Sequence, residues 1–306
     1  MSILSQSFPP KAKWSAKDIP DLSEKVMIVT GGNSGIGRET VKALLSHNAK
    51  VYMASRSKVR AMQAISELKV ETGKEAVFLE LDLADLRAIK TAAAEFLSKE
   101  SRLHVLFNSG GVMIPPLEDL TADGYDLQFG VNVLGHFYFT QLLLPALLAV
   151  PQSCEEKARV VTTSSLGHIF TPLNFEAFCD GPTRVKMGRQ ELYQMSKYGD
   201  TVFAAELARR YRDQGIVSIA VNPGNINSDL NRNASAVQKV LSKLLFYPTD
   251  KGALTQLYAG VAPDASKMSG KYLIPWARLG EARLDALEPK TGERLWKWME
   301  EQVSSI

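Results

Sequence analysis

Tyr193 and Lys197 stand four residues apart in Tyr193-Gln194-Met195-Ser196-Lys197. On a helix that spacing puts both side chains on one face. An ammonium beside a phenol favours the phenolate and lowers the phenol pKa towards working pH. Hydride transfer to or from a carbonyl carbon needs such an acid/base for the oxygen. Lys197 could also hydrogen-bond a nicotinamide ribose. The motif alone is weak, and the chain holds a second copy, Tyr247-Pro-Thr-Asp-Lys251. There the tyrosine precedes a proline, which biases it away from helix. That copy also precedes a helical stretch instead of lying in one, whereas Tyr193–Lys197 lies at the start of a long helical stretch that follows a strand.

Ser165 follows the strand-like run Arg159–Thr163 in Thr162-Thr163-Ser164-Ser165. A hydroxyl there could hydrogen-bond a substrate carbonyl and the Tyr193 phenol, although serine and threonine are common in strand-end turns. Residue type does not choose between Ser164 and Ser165. Asn132 sits mid-helix in the apolar run Val131-Asn132-Val133-Leu134-Gly135. Asparagine is a poor helix former, so its place there asks for a reason. It could hold a water that relays protons through Lys197, or it could be a core asparagine with satisfied hydrogen bonds.

A nucleotide site must position these groups, and its signal lies near the N-terminus. The run Val26–Thr30 is apolar and largely β-branched. Gly31, Gly35 and Gly37 follow, and then Ile36, Val41, Leu44 and Leu45 at helical spacing. Strand, glycine turn and helix put free N–H groups and the positive end of a helix dipole beside a strand end, which suits a pyrophosphate. Glycine allows close backbone approach and positive φ. The pattern is Gly-x-x-x-Gly-x-Gly, and its setting between strand and helix points to dinucleotide binding.

At the end of the second strand an acidic residue would accept from a free adenosine ribose, whereas a base would pair with a 2′-phosphate. Here Ser55-Arg56 stands at that turn, and Arg38 follows the last glycine. Arginine is suited to bidentate phosphate contact. The two arginines favour NADP(H) over NAD(H) and are read as a phosphate clamp. Asp82, after the third strand, could accept from the adenine amino group or act as a turn or helix-capping residue.

The chain has 306 residues, 45% of them apolar, and a net charge of +3. That length supports a sizeable core, and the balance of 36 basic and 33 acidic residues leaves no nucleic-acid footprint. Two cysteines and four scattered histidines give no metal-ligand spacing. The cysteines read as reduced intracellular thiols. No apolar run reaches 18 residues, and Met1–Pro20 does not look like a signal peptide. The expectation is a cytoplasmic protein with no integral membrane segment.

Strands are expected near Val26–Thr30, Lys50–Ala54, Ala76–Leu81, Leu103–Phe107, Arg159–Thr163, Ile216–Val221 and Lys271–Ile274, alternating with helices. This predicts an α/β fold, a doubly wound parallel sheet with helices on both faces. No linker, composition shift or repeat divides the chain, so residues 1–306 are read as one domain. Residues 1–23 form an N-terminal surface arm, 225–248 a substrate-loop region and 276–306 a C-terminal tail. Ligands belong beyond the carboxyl ends of the strands.

Together these residues resemble the classical short-chain dehydrogenase/reductase family. The match runs Thr30-Gly-x-x-x-Gly-x-Gly37, Asn132, Ser165, Tyr193, Lys197, in family order, and covers about residues 24–275. It implies a Rossmann-type, seven-stranded sheet and a catalytic tetrad. By that resemblance Tyr193 is the acid/base, Ser165 positions the carbonyl, Lys197 lowers the Tyr193 pKa and holds ribose, and Asn132 organises the relay. NADP(H) would lie on Gly31, Asn33, Ser34, Gly35, Ile36, Gly37, Arg38, Arg56, Asp82, Leu83, Asn108, Gly110, Tyr193, Lys197, Pro223, Gly224, Ile226 and Ser228. The segments 130–137, 54–56 and 164–168 look most like the retinol-dehydrogenase-like branch, which is mainly NADPH-dependent and takes apolar alcohols, aldehydes and ketones. The family's Asn-Asn-Ala-Gly is here Asn108-Ser109-Gly110-Gly111, the branch's usual His-Pro-Gly is Asn222-Pro223-Gly224, and Ser228 replaces a usual threonine. Relatives form homodimers or homotetramers through the helices at 123–150 and 190–213.

The expected reaction is therefore hydride exchange with a small apolar aldehyde, ketone or alcohol. A non-catalytic NADP(H)-binding regulator or scaffold is the competing reading, although such proteins usually lose the tyrosine or lysine. Pocket walls are expected from Met113, Ile114, Phe170, Phe175, Phe178, Leu230, Leu245, Phe246 and Trp276, or these side chains simply pack the loops onto the sheet.

Overall fold

The computed structural model of the chain describes residues 3–151, 157–227 and 246–306. Eight strands run β1 (Val26–Thr30), β2 (Lys50–Ser55), β3 (Val77–Glu80), β4 (Val105–Asn108), β5 (Ala158–Thr163), β6 (Ile216–Val221), β7 (Tyr272–Ile274) and β8 (Arg278–Gly280). They form one sheet in the order β3-β2-β1-β4-β5-β6-β7-β8. Strands β1 to β7 pair in parallel, and β8 adds antiparallel to β7, with Leu273 opposite Leu279. The sheet thus has eight strands where seven parallel ones were expected. The extra strand is three residues long, too short to show an alternating pattern. It also needs Gly280, because a Cβ there would lie 2.4 Å from Ile274 Cγ2.

Helices α2 (Gly35–Ser46), α3 (Lys58–Thr72) and α7 (Thr249–Val261) cover one face, and α4 (Leu86–Lys99), α5 (Leu127–Leu148), α6 (Pro182–Tyr211) and α8 (Pro289–Val303) the other. A short α1 spans Ile3–Ser7. The sheet is buried on both faces, so its central strands are continuously apolar, as parallel strands should be. On one side Val41, Leu44, Ile65, Leu68 and Leu257 pack on Met27, Val29, Val51 and Met53. On the other, Phe96, Phe137, Phe203 and Trp296 pack on Ile28, Leu106 and Val160. Trp296 meets Phe137 edge-on at 5.0 Å, and Trp298 meets Phe178 at 4.8 Å, so the C-terminal tail closes on its own chain.

Local sequence sets the helix ends. Asp85 caps α4 by accepting from the Arg87 and Ala88 N–H groups, and Gly73 ends α3 in the left-handed region at φ 70°. Helix α5 is long and apolar enough to cross a membrane, yet 72% of that stretch is buried inside the protein. Such a helix, apolar all round, is a core helix. Helix α6 is broken at Gly188, φ 72° and ψ 168°. The turns carrying Tyr193 therefore start just after the break, where sequence periodicity also placed a helix start.

Next to the strand ends, the loop after β4 is stapled to α6 by a buried ion pair. Arg184 Nε meets Asp126 Oδ2 at 3.1 Å, and both side chains are 3% exposed. Arg184 also donates to the carbonyls of Leu117 and Asp119, while Asp126 caps α5 by accepting from the N–H groups of Gln128 and Phe129. Removing one partner leaves a buried charge unpaired, at a cost of about 3–5 kcal/mol. Arg184→Ala is expected to lower the urea unfolding free energy by that order, and an unchanged midpoint would show that the staple contributes nothing.

Candidate active site

The sheet order reverses between β1 and β4, and the loops there open a crevice beyond the strand ends. Gly31 (φ 65°) and Gly35 (φ 53°) both adopt left-handed backbone. A Cβ on Gly37 would lie 2.3 Å from the Gly31 carbonyl oxygen, so the first turn of α2 rests directly on the loop. Two cavities of about 310 and 370 Å³ share Gly31, Ser34, Gly110, Gly111, Val112 and Met113. One runs over Gly35, Ile36, Gly37, Pro223, Gly224 and Ile226 to Ser165, Tyr193 and Lys197. The other runs past Asn33, Ser55, Arg56, Asp82 and Leu83. The two together make a trough with the expected nucleotide residues along its length. Asn108 lies below its floor, buried, donating from Nδ2 to Thr140 Oγ1. Ser228 lies outside the described residues.

The expected arginine clamp is not assembled. Arg38 turns to α3, where its Nη2 reaches Glu71 Oε1 at 2.6 Å and Glu67 Oε2 at 3.1 Å, and Nη1 lies 3.7 Å from Glu39. Glu67 and Glu71 come from elsewhere in the sequence, in the second half of α3, so the glycine motif gave no sign of them. Arg56 does line the trough, mostly exposed, 4.0 Å from Asp82. Arg60, which sequence reasoning passed over, lines it too. Its signal was available: residue 60 is in the first turn of α3, directly after the Ser55-Arg56-Ser57 turn. The buried Ser55 hydroxyl at the same end has no partner among the described residues.

At the opposite end, Lys197 is buried and its Nζ lies 5.9 Å from the Tyr193 ring centre. Nζ donates to the Thr163 carbonyl at 2.9 Å and to Asp200 Oδ2 at 2.7 Å. Ser165 and Tyr193 are neighbours: a Cβ built on Gly167 would sit 3.6 Å from Ser165 Oγ and 3.7 Å from Tyr193 Cε1. The two serines differ. Both line the cavity, but Ser164 is buried and gives its hydroxyl to the Lys197 carbonyl at 2.7 Å, whereas Ser165 is half-buried and accepts from Gly167 N. Asn132 lies in a π-helical turn, Gly130–Gly135, inside α5. Its side chain clamps Val112 through both N–H and carbonyl and donates to Ser196 Oγ at 3.0 Å. The Tyr247–Lys251 copy is not assembled here: Tyr247 packs edge-on to Trp276, at 5.0 Å.

A short chain dehydrogenase family model matches residues 25–178. Over 98% of this chain and 97% of the relative, the sequence is 56% identical to a short-chain dehydrogenase/reductase of Armillaria gallica. The chain belongs to the short-chain dehydrogenase/reductase family. It is 35% identical to mouse retinol dehydrogenase 12, across 97% of this chain and 93% of that one. A Mycobacterium paratuberculosis protein shares the fold at TM-score 0.73 and 27% identity, over 96% and 98% of the two chains. A short chain dehydrogenase of Burkholderia cenocepacia, solved in complex with NADP, matches at TM-score 0.66 and 25% identity, over 84% and 98%.

Behind the cavity, this dehydrogenase/reductase carries polar side chains that the motifs did not announce. Gln256 on α7 accepts from Ser109 Oγ at 3.2 Å and Thr163 Oγ1 at 3.1 Å, and donates to Thr40. The family departure at Ser109 is thus matched by a partner 147 residues away. His136, one helical turn after Asn132, bonds the Asn132 carbonyl through Nδ1 at 2.9 Å and Thr30 Oγ1 through Nε2 at 2.9 Å. The network assigns Nδ1–H as donor and Nε2 as acceptor, a neutral ring. Burial pushes His136 down to about 4, against the upward pull of the Asn132 carbonyl and with a smaller downward push from Lys197.

The sign of the pH effect follows. Between pH 6.5 and 4 the unfolded chain protonates this histidine and the folded chain does not, so stability is full above 6.5 and falls as pH drops. The loss is on the order of 3 kcal/mol. Urea unfolding of wild type and His136→Gln at pH 7 and pH 4 should show wild type losing that much more than the variant. A constant difference between the two would mean that His136 is charged in the fold.

Proposed function

We propose that the chain is an NADP(H)-dependent oxidoreductase that interconverts an apolar aldehyde or ketone with its alcohol, with Tyr193 as acid/base. One observation carries this reading: Tyr193, Ser165 and Lys197 line the same cavity as the glycine turn and Pro223-Gly224. The trough fits a dinucleotide by the close backbone of its glycine turn at Gly31, Gly35 and Gly37 and by the Ser55 hydroxyl, unpartnered among the described residues, at the end lined by Arg56 and Arg60. Bound NADP(H) supplies or accepts the hydride.

The side chains divide the remaining work. In reduction the Tyr193 hydroxyl gives its proton to the substrate oxygen, and the Ser165 hydroxyl donates to the same oxygen as its charge grows. The buried ammonium of Lys197 stabilises the resulting phenolate. Its remaining N–H is free for ribose hydroxyls, because two of its three donors are committed to Thr163 and Asp200. Asn132 holds Val112 against the cavity and braces Ser196, beside Lys197. In oxidation the same groups act in reverse.

Arg56 and Arg60 are the phosphate-facing cations in this reading, with Arg38 held by Glu67 and Glu71. The apolar walls are Val112, Met113, Ile226 and Phe246. Of the other side chains expected there, Phe178 stacks on Phe129 in the core at 3.6 Å, Trp276 packs against Tyr247, and Phe170 is exposed. Leu230 and Leu245 lie outside the described residues. The substrate class is therefore carried by few residues and remains the broad one of apolar carbonyls and alcohols.

The test is NADPH oxidation across a panel of aldehydes and ketones. Tyr193→Phe should lower kcat by ~100-fold or more, the usual weight of a positioned acid, while leaving NADPH binding in place. Arg56→Ala with Arg60→Ala should raise KM for NADPH by about tenfold or more, as expected for ~1.4 kcal/mol of lost phosphate contact, and change KM for NADH little. Turnover untouched by Tyr193→Phe would remove the acid/base assignment, and NADPH binding without turnover in the whole panel would favour the non-catalytic binder.

A further inference from the structure

Asp200 lies one helical turn beyond Lys197 on α6 and is 1% exposed. Its Oδ2 accepts from Lys197 Nζ at 2.7 Å, and its Oδ1 is buried with no partner among the described residues. A buried carboxylate with one oxygen unpaired by protein donors is a poor anion. The mechanism above has no use for it, and its position opposes the work assigned to Lys197. That work is to present positive charge to the Tyr193 ring, 5.9 Å from Nζ. An ionised carboxylate on the same ammonium cancels much of that field, whereas a protonated one leaves it intact.

The surroundings decide which form can exist. On its own helix Asp200 faces Lys197, with Tyr193 one turn further back. From β7 comes Tyr272, whose hydroxyl donates to the Ser165 carbonyl at 3.0 Å and lies 3.1 Å from His168 Nδ1. From α5 comes His136, buried near Lys197. Tyr272 is held neutral, because burial and the nearby acidic groups raise it. His136 is neutral above pH 4. Lys197 is therefore the single cation acting on Asp200 among the described residues. Burial drives Asp200 up to about 7, with Lys197 pulling the other way.

We propose that Asp200 is a positioning residue that holds the Lys197 ammonium at Thr163 and, by its own ionisation, sets how strongly that ammonium favours the Tyr193 phenolate. When Asp200 is ionised the pair is neutral, and Tyr193 keeps its proton to a higher pH. When Asp200 is neutral the pair carries a full positive charge, and Tyr193 gives up its proton more readily. This rests on Tyr193 being the acid/base, so the readout is chosen to separate the two ideas.

The phenolate of Tyr193 absorbs near 295 nm and can be titrated in the full-length protein without turnover. Wild type minus Tyr193→Phe gives its transition, and Asp200→Asn minus the double variant gives it without the carboxylate. Asparagine keeps an acceptor for Nζ, so position is retained and only charge is lost. The expected result is a transition moved to lower pH by about half to one unit in Asp200→Asn. The alkaline limb of kcat/KM for ketone reduction should move the same way by the same amount. Asp200→Ala, which removes the acceptor as well, should also lower kcat at every pH. A Tyr193 transition at the same pH in wild type and Asp200→Asn overturns the proposal. An activity that falls in Asp200→Asn with its pH profile unmoved assigns Asp200 a structural role only and overturns it too. If Asp200→Asn does not fold, Asp200→Ser removes the same charge and carries the same expectation. Full turnover in Tyr193→Phe would instead reject the acid/base reading, and this proposal with it.

Discussion

The threonine at the end of β1 resolves the main difficulty of this architecture. Where β1 and β4 part company, backbone N–H groups that would have entered the ladder face the crevice without strand partners. Thr30 Oγ1 accepts two of them, from Ser109 at 2.9 Å and Gly110 at 2.8 Å. The same hydroxyl bonds His136, which in turn holds the carbonyl of Asn132. One small side chain thereby fixes the glycine turn, the loop after β4 and the π-helical turn of α5 relative to one another. The close approach of Gly37 to Gly31, and of Gly110 to Gly31, depends on that registration.

The remaining polar groups form a second layer beneath the trough. Ser165 keeps its hydroxyl towards the cavity because other atoms carry its backbone: its carbonyl accepts from Tyr272 and lies 2.7 Å from His168 Nδ1. Ser164, its neighbour, is turned inward to Lys197 and Thr201. Gln256 ties the ends of β4 and β5 to α2 from the far side of the sheet. Buried networks of this kind are stiff when each member is satisfied. Among the exceptions, Ser55 Oγ belongs to a residue lining the trough and Asp200 Oδ1 to one bonded to Lys197, which lines it.

Much of this was legible in sequence, for a physical reason. Parallel strands buried on both faces must be apolar runs, so β1, β2, β4, β5 and β6 announced themselves. The glycine spacing recorded a steric contact, Gly37 on Gly31, that no other residue tolerates. Tyr193 and Lys197 were visible because one helical turn separates them. What stayed hidden depended on partners distant in the chain. Arg38 looked like a phosphate ligand until Glu67 and Glu71 were placed beside it. Ser109 looked like a defect until Gln256 appeared. Phe178 looked like pocket wall, yet it stacks in the core. Strand β8 has three residues, too few for any periodicity, and exists because β7 offers it an edge. Asp200 could have been noticed from its i+3 spacing to Lys197, but an acid at that spacing on a helix is ordinary until its burial is known.

Ser5 and Gln6 carry a consequence for the order in which the fold closes. Gln6 is buried and accepts from Asn222 Nδ2 at 2.9 Å, and the same Asn222 accepts from Gly224 N with its Oδ1. Arg278 donates to the carbonyl of Ser5 at 2.7 Å and to its hydroxyl at 3.0 Å. Residues 5 and 6 thus have partners 273 and 216 residues further along the chain. Loop closure over such spans is entropically slow, so residues 5 and 6 cannot dock until residues 222 and 278 are themselves in place. The turn at Pro223-Gly224 therefore draws support from a side chain 216 residues earlier, and a change at Gln6 would reach that turn despite being remote from it in sequence.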